Sequence, residues 1–344
     1  MTARFNRRQI LLGSAGLAGI ATLAACGGDA KPADPVTPAA GETAAETPMT
    51  VDKINVGYIA DSNGSMLMAV AEQEKLWEKH GLEVKTSTFT NGPLQIQALG
   101  TEDLDFGYIG FGALWLPMSG KASIVAIQSL GKADRVIAQP GITSMADLKG
   151  KKVGVPEGTS GDMILNLALE KAGMTVDDIE RIPMDPPTLI SAFSSGQIDG
   201  AGIWYPHVDT IVKQVPDLVT IAESNDFPDF AFPACQVANT NITDRPEILQ
   251  KYQAVCKEAF TWAAENKEAI PALIADFLDA PEDAIASEQQ YVEVLTSDDV
   301  IAASEDGRVE KWMTALNEQF VKAEKVDSVA DVSTYWLGEE YKNA

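Results

Sequence analysis

Two short segments carry the residue types of an anion-capturing helix start. Asn63-Gly64-Ser65 and Gly158-Thr159-Ser160-Gly161 each place small hydrogen-bonding residues at the head of an apolar-periodic run. The first N–H groups of a helix lack intrahelical partners and lie at its positive end, so such starts hold small oxyanions. Capping alone also selects Ser, Thr and Asn there. Tyr108, Gly110 and Phe111 lie in a glycine-rich loop after a strand-like run, where backbone comes close to a ligand or simply turns tightly. Trp204 and Tyr205 follow another strand and precede Pro206, a position for an aromatic wall or for the core. Asp61 and Asp229, with Asp185 and Asp226, are acids near the same loops, where solvated loop acids are the ordinary reading; Arg135 and Arg181 are the nearby cations. This mixture suits a zwitterion, ammonium on a carboxylate and oxyanion on a helix start, better than a pure anion.

Covalent chemistry has no such constellation. There is no G-x-S-x-G elbow, P-loop or H-E-x-x-H, and the two histidines, His80 and His207, are not at metal-ligand spacing. His80 closes a helix and reads as a partner for its negative end, while His207 could line a cleft. No cofactor or metal is expected.

The elements that must position these residues follow from the whole chain. At 344 residues it is long enough for two lobes. With 45% hydrophobic and 22% charged residues, it is an ordinary globular mix. Three cysteines exclude a disulfide scaffold, and Cys235 and Cys256 read as small buried residues rather than a bonded pair. A formal net charge of −24 excludes a basic stripe for nucleic acid or a polybasic face for anionic lipid.

The front end reads as an address and a tether. Arg4, Arg7 and Arg8 precede the uncharged run Ile10–Ala25, shorter than the roughly 20 residues of a permanent span. Leu23-Ala24-Ala25-Cys26 resembles a bacterial lipobox, which implies removal of residues 1–25 and lipidation of Cys26. Asn6-Arg7-Arg8-Gln9-Ile10-Leu11 resembles a twin-arginine export motif, with Ile and Asn at its flanks. Residues 26–52 then form a flexible tether of Gly, Ala, Pro, Thr and acids. The expected body is acidic and held to a membrane by lipid.

From residue 53 short apolar strands alternate with amphipathic helices. A strand at 54–59, a capping loop at 61–65, a helix ending at His80-Gly81 and a strand at 84–89 form one plan. The plan returns as a strand at 152–155, a capping loop at 157–162 and a helix ending at Gly173. Pro93 and Pro187 open the next units, with Ala98, Leu99, Leu104 and Asp105 matched in spacing by Ala192, Phe193, Ile198 and Asp199. This predicts an internally duplicated α/β protein. Beyond 235 a helical stripe runs from Ile248 to Ala263, with further helices expected near 266–278, 281–294 and 308–322, covering the first lobe.

The segment Phe193-Ser194-Ser195-Gly196-Gln197-Ile198-Asp199-Gly200-Ala201-Gly202-Ile203-Trp204-Tyr205-Pro206 resembles the second lobe of substrate-binding proteins of taurine, aliphatic-sulfonate and nitrate ABC importers. Asp147 to Val155 resembles their entry into that lobe, and Leu104 to Gly110 their first-lobe strand and ligand loop. The resemblance spans roughly 53–240. It implies a two-lobe α/β clamshell of the periplasmic-binding-protein type, with lobe 1 at 53–137 plus 235–344, lobe 2 at 138–234, and hinge crossings near Arg135–Pro140 and Phe230–Cys235. It further implies a small sulfonate-like solute in the cleft, taurine or an aliphatic sulfonate first. Nitrate, a thiamin-precursor pyrimidine or a small cation are the alternatives. The implied partners are an ABC permease with a separate ATPase, at the periplasm or outer membrane face; a signalling receptor module is the competing role. Thiamin-pyrimidine synthases share this fold, but their cysteine-rich and histidine-rich features are missing here.

Overall fold

The structure, a computed structural model, describes residues 50–344. The export motif, the lipobox with Cys26 and most of the tether lie outside the described residues. Eleven strands are present among them: β1 (Asp52–Ile59), β2 (Leu82–Phe89), β3 (Phe106–Ile109), β4 (Ser123–Gly131), β5 (Asp134–Ala138), β6 (Lys152–Val155), β7 (Glu180–Pro183), β8 (Gly200–Trp204), β9 (Val219–Glu223), β10 (Pro233–Ala238) and β11 (Val292–Val294). The longer helices are α1 (Ser62–Gln73), α2 (Gly92–Gly100), α3 (Ser160–Lys171), α4 (Pro186–Ser194), α5 (Pro246–Glu265), α6 (Ile270–Leu278), α7 (Glu282–Gln289), α8 (Ser297–Glu305) and α9 (Arg308–Lys322).

The strands form two sheets, ordered β11-β4-β10-β3-β1-β2 and β7-β6-β8-β5-β9. The duplication is visible in them: β2-β1-β3-β10-β4 corresponds to β7-β6-β8-β5-β9. In each, three parallel strands joined by helices meet an antiparallel strand that has just crossed from the other sheet, β10 in one case and β5 in the other. The fold is therefore α/β with two sheets. The first crossing lies at Lys132–Ala133, earlier than the expected Arg135–Pro140, because Asp134–Ala138 already pairs with β8 and β9. The second runs from the end of β9 to Pro233, overlapping the expected segment.

Local rules account for the helix ends. Asp61 accepts from the Gly64 N–H at 2.6 Å to cap α1, and Asp185 caps α4 through the Thr188 N–H at 3.0 Å. Gly173, at φ +70°, ends α3 in the left-handed conformation that glycine adopts without steric cost. Behind the first sheet, α5 buries Leu249, Tyr252, Val255, Cys256, Ala259 and Ala263 of the stripe expected from its periodicity, together with Phe260, while Ile248 and Trp262 of that stripe are half-buried. Cys235 and Cys256 are free and buried. One expected helix, 281–294, is shorter: α7 stops at Gln289 and Val292–Val294 turns into an edge strand on β4. Alternating β-branched residues favour that pleated, half-buried position.

Gln95 shows how the strand under the site is held. Its Nε2 donates to the Tyr108 carbonyl at 2.8 Å and its Oε1 accepts from the Tyr108 N–H at 2.9 Å. Gly57 and Gly107 make room for it, since a Cβ on either would stand 2.6 or 3.0 Å from Gln95 Oε1. Gln95→Ala orphans two backbone groups at once and is expected to cost about 2–4 kcal/mol in urea unfolding; a cost below about 1 kcal/mol contradicts this role.

Candidate functional site

A cavity lies where the strands of both sheets end. Asp61 and Asn63 reach it from the β1–α1 turn, Asn91 and Gly92 from the start of α2, and Tyr108, Gly110 and Phe111 from the loop after β3. The second sheet contributes Thr159 and Ser160 at the start of α3, and Trp204 and Tyr205 after β8. The two crossings contribute Ala133, Asp134 and Phe232, and the C-terminal region contributes Glu288 and Val292. The space open to the centres of water-sized spheres is about 60 Å³. One water needs roughly 10–15 Å³ on that measure, so the cavity takes a few waters or one compact solute.

The lobes touch around it. A Cβ on Gly112 would overlap the Thr159 carbonyl and the Ser160 backbone nitrogen of the facing lobe. The Trp115 indole N–H donates to the Gly158 carbonyl at 3.3 Å. Lys325 and Lys322 bridge to Glu157 and Glu170 at 2.9 and 2.8 Å.

Of the expected site residues, Asp61, Asn63, Tyr108, Gly110, Phe111, Thr159, Ser160, Trp204 and Tyr205 line the cavity. Five do not. Gly64 gives its N–H to Asp61, and Ser65 turns its hydroxyl back to the Ile59 carbonyl at 3.1 Å. Gly158 donates to Asp162 at 2.8 Å, and Gly161 packs its Cα against the Gly202 backbone, so both serve the second lobe internally. Asp229 is exposed on the β9–β10 connection. His207 does not line the cavity; it meets Trp204 edge-on, and burial pushes its pKa down to about 4, so it is neutral near pH 7. His80 closes its helix and contacts Glu258 at 2.8 Å.

The electrostatics differ from expectation at the start of α1. Glu288, from α7, accepts from the Ser62 N–H at 2.7 Å and the Asn63 N–H at 3.3 Å. The group seated at the head of α1 is therefore the protein's own carboxyl. At α3, Thr159 turns its hydroxyl to the Pro156 carbonyl, while Asp162 takes the Gly158 N–H and grips Arg181 at 2.8 Å through both carboxylate oxygens. Arg181 is thereby committed away from the cavity. So is Arg135, whose guanidinium pairs with Glu223 at 3.3 Å, donates to the Lys132 and Asp134 carbonyls and lies over the Tyr291 and Tyr205 rings.

What remains in the wall is acidic. Asp61, Asp134 and Glu288 are 5%, 4% and 2% exposed, and no Lys, Arg or His is among the lining residues. Burial raises the Asp61 carboxyl to about 7, against the Gly64 N–H and the Trp204 indole that favour its charge. Burial likewise raises Asp134 to about 7, opposed by the Ser160 hydroxyl and Arg135. Glu288 is held well above its ordinary range, first by burial and then by Asp61. Asp134 Oδ1 has no hydrogen-bond partner. Asp134 and Glu288 were missed in the sequence: Asp134 was given no role beside the expected crossing at Arg135–Pro140, and Glu288 falls within the helix expected at 281–294. The available signal was Glu288 three residues after Ile285, on the face where α7 is buried.

Two α/β lobes meeting over one cavity at their strand ends are a solute-binding arrangement. The chain belongs to the NMT1/THI5-like family, whose model matches residues 63–270. A Brucella abortus chain described as a binding protein is 50% identical over 290 residues, covering 84% of this chain and 91% of that one. An aliphatic sulfonates-binding protein of Escherichia coli is 28% identical, over 69% of this chain and 75% of its own. The solved alkanesulfonate-binding protein of Xanthomonas axonopodis pv. citri, bound to MOPS, shares the fold with a TM-score of 0.65 at 18% identity, over 83% of this chain and 98% of that one.

Proposed function

We propose that this chain is the exported, lipid-anchored solute-binding component of an ABC importer, taking up one small solute without changing it. The observation that carries the reading is the cavity at the junction of two duplicated lobes, lined from both sheets and both crossings. A solute that touches both lobes favours the closed arrangement by its differential affinity for it. In this reading lobe 1 holds the first sheet with the C-terminal helices and lobe 2 runs from β5 to β9. Cys26 carries the lipid, and a permease with a separate ATPase receives the loaded protein at the periplasm or outer membrane face.

The sulfonate-binding relatives support a sulfonate-type solute, and the wall narrows which one. A plain anion such as nitrate faces three acidic side chains with no lining cation, whereas taurine brings an ammonium that they can hold. The test is a melting-temperature screen of the mature chain, with each stabilising solute recovered afterwards and its mass compared. A ligand that binds only the folded state raises the midpoint, by about 2.7 kcal/mol of stability at a hundred times Kd. Stabilisation with the solute returned intact is expected. Turnover of the solute overturns the reading.

A further inference from the structure

We infer that the recognised feature of the solute is a cationic nitrogen, an ammonium or amidinium group, held by Asp134 together with Asp61 and Glu288 against the aromatic wall. The inference deepens the solute-binding reading and rests on it. Asp134 lines the cavity, and its buried Oδ1 accepts no hydrogen bond from the protein, so the fold supplies an acceptor and leaves its donor to come from outside. Two positive features that an anion could use are already engaged. Glu288 occupies the α1 start, and Arg135 is engaged by Glu223 and two carbonyls.

An organic cation fits better than a metal ion. Among the described residues no group of three or more His, Cys, Asp or Glu has the arrangement to hold a metal. Beside the acids stand Tyr108, Trp204 and Tyr205, whose ring faces attract a nitrogen cation and whose apolar area suits a carbon frame. The small volume confines the solute to a compact molecule.

The test uses the mature chain freed of bound solute, with ethanolamine, acetamidine and taurine set against isethionate and ethanesulfonate, which lack the nitrogen. The solute extracted from natively purified protein is identified in parallel by mass spectrometry. Expected are melting shifts only with nitrogen-bearing probes, a cationic nitrogen in the extracted solute, and an affinity loss of about 100-fold or more in Asp134→Asn. Asp229→Asn, at an exposed acid outside the cavity, keeps wild-type affinity. Shifts of equal size with isethionate or ethanesulfonate, or an extracted solute without a cationic nitrogen, overturn the inference while leaving a solute-binding role standing. No shift with any probe and no extractable solute overturn both.

Discussion

Asp134→Asn is expected to make the empty protein more stable at pH 8 and at the same time to remove its capture of a cationic solute. The folded pKa of Asp134, about 7, stands above its ordinary value of 3.8 because burial disfavours the charge. A carboxyl that holds its proton more tightly when folded makes stability fall as pH rises from about 4 through about 7, after which the deficit is constant. A shift of that size corresponds to about 4 kcal/mol when fully expressed. Ser160, Arg135 and Asp61 are the groups that act on it, and all remain in the variant. The gain is therefore expected at about 2–4 kcal/mol in urea unfolding at pH 8, shrinking toward zero by pH 4. An equal gain at both pH values, or a loss at pH 8, contradicts the account. A group that lowers the stability of the empty fold and is relieved by a ligand is the ordinary signature of a binding site.

The second large effect is expected from Gly112→Ala. Gly112 sits in the single turn Phe111–Ala113, and its backbone is not in the left-handed region, so alanine costs little locally. The added methyl would overlap backbone atoms of Thr159 and Ser160 in the opposite lobe, and backbone cannot give way as a flexible side chain does. The lobes must then stand apart. Expected are an affinity loss of roughly 10- to 100-fold, a radius of gyration by X-ray scattering that stays large when solute is added, and an almost unchanged melting point. Wild-type affinity with a closed radius of gyration contradicts the role given to this contact.

The duplicated architecture was legible because its signals are local. Strand runs at 54–59 and 152–155, prolines opening α2 and α4, and glycines ending helices each act within a few residues. The aromatic and loop walls, Tyr108, Phe111, Trp204 and Tyr205, were legible for the same reason, since strand ends in α/β sheets face the crevice. The charge of the site was not. Glu288 reaches the α1 start across more than 220 residues of chain, and nothing near position 288 tells of Ser62 or Asn63. Asn63, Gly64 and Ser65 thus read as a vacant anion site when their amides are engaged by Glu288 and Asp61. Arg135 misled in the opposite sense. Neighbouring strand residues face opposite sides, so Asp134 reaches the cavity while its basic neighbour turns to Glu223. The shortfall at Asp229 is simpler, because a loop acid beside a cleft segment is most often solvated.

The most direct measurement is a crystal structure of the natively purified protein with its solute. Density for one small molecule is expected between the lobes, with a nitrogen within hydrogen-bond distance of Asp134 Oδ1 and the carbon frame against Trp204 and Tyr108. Density for the solute anywhere else, such as the surface groove lined by Ile301, Val309 and Trp336, contradicts the central claim.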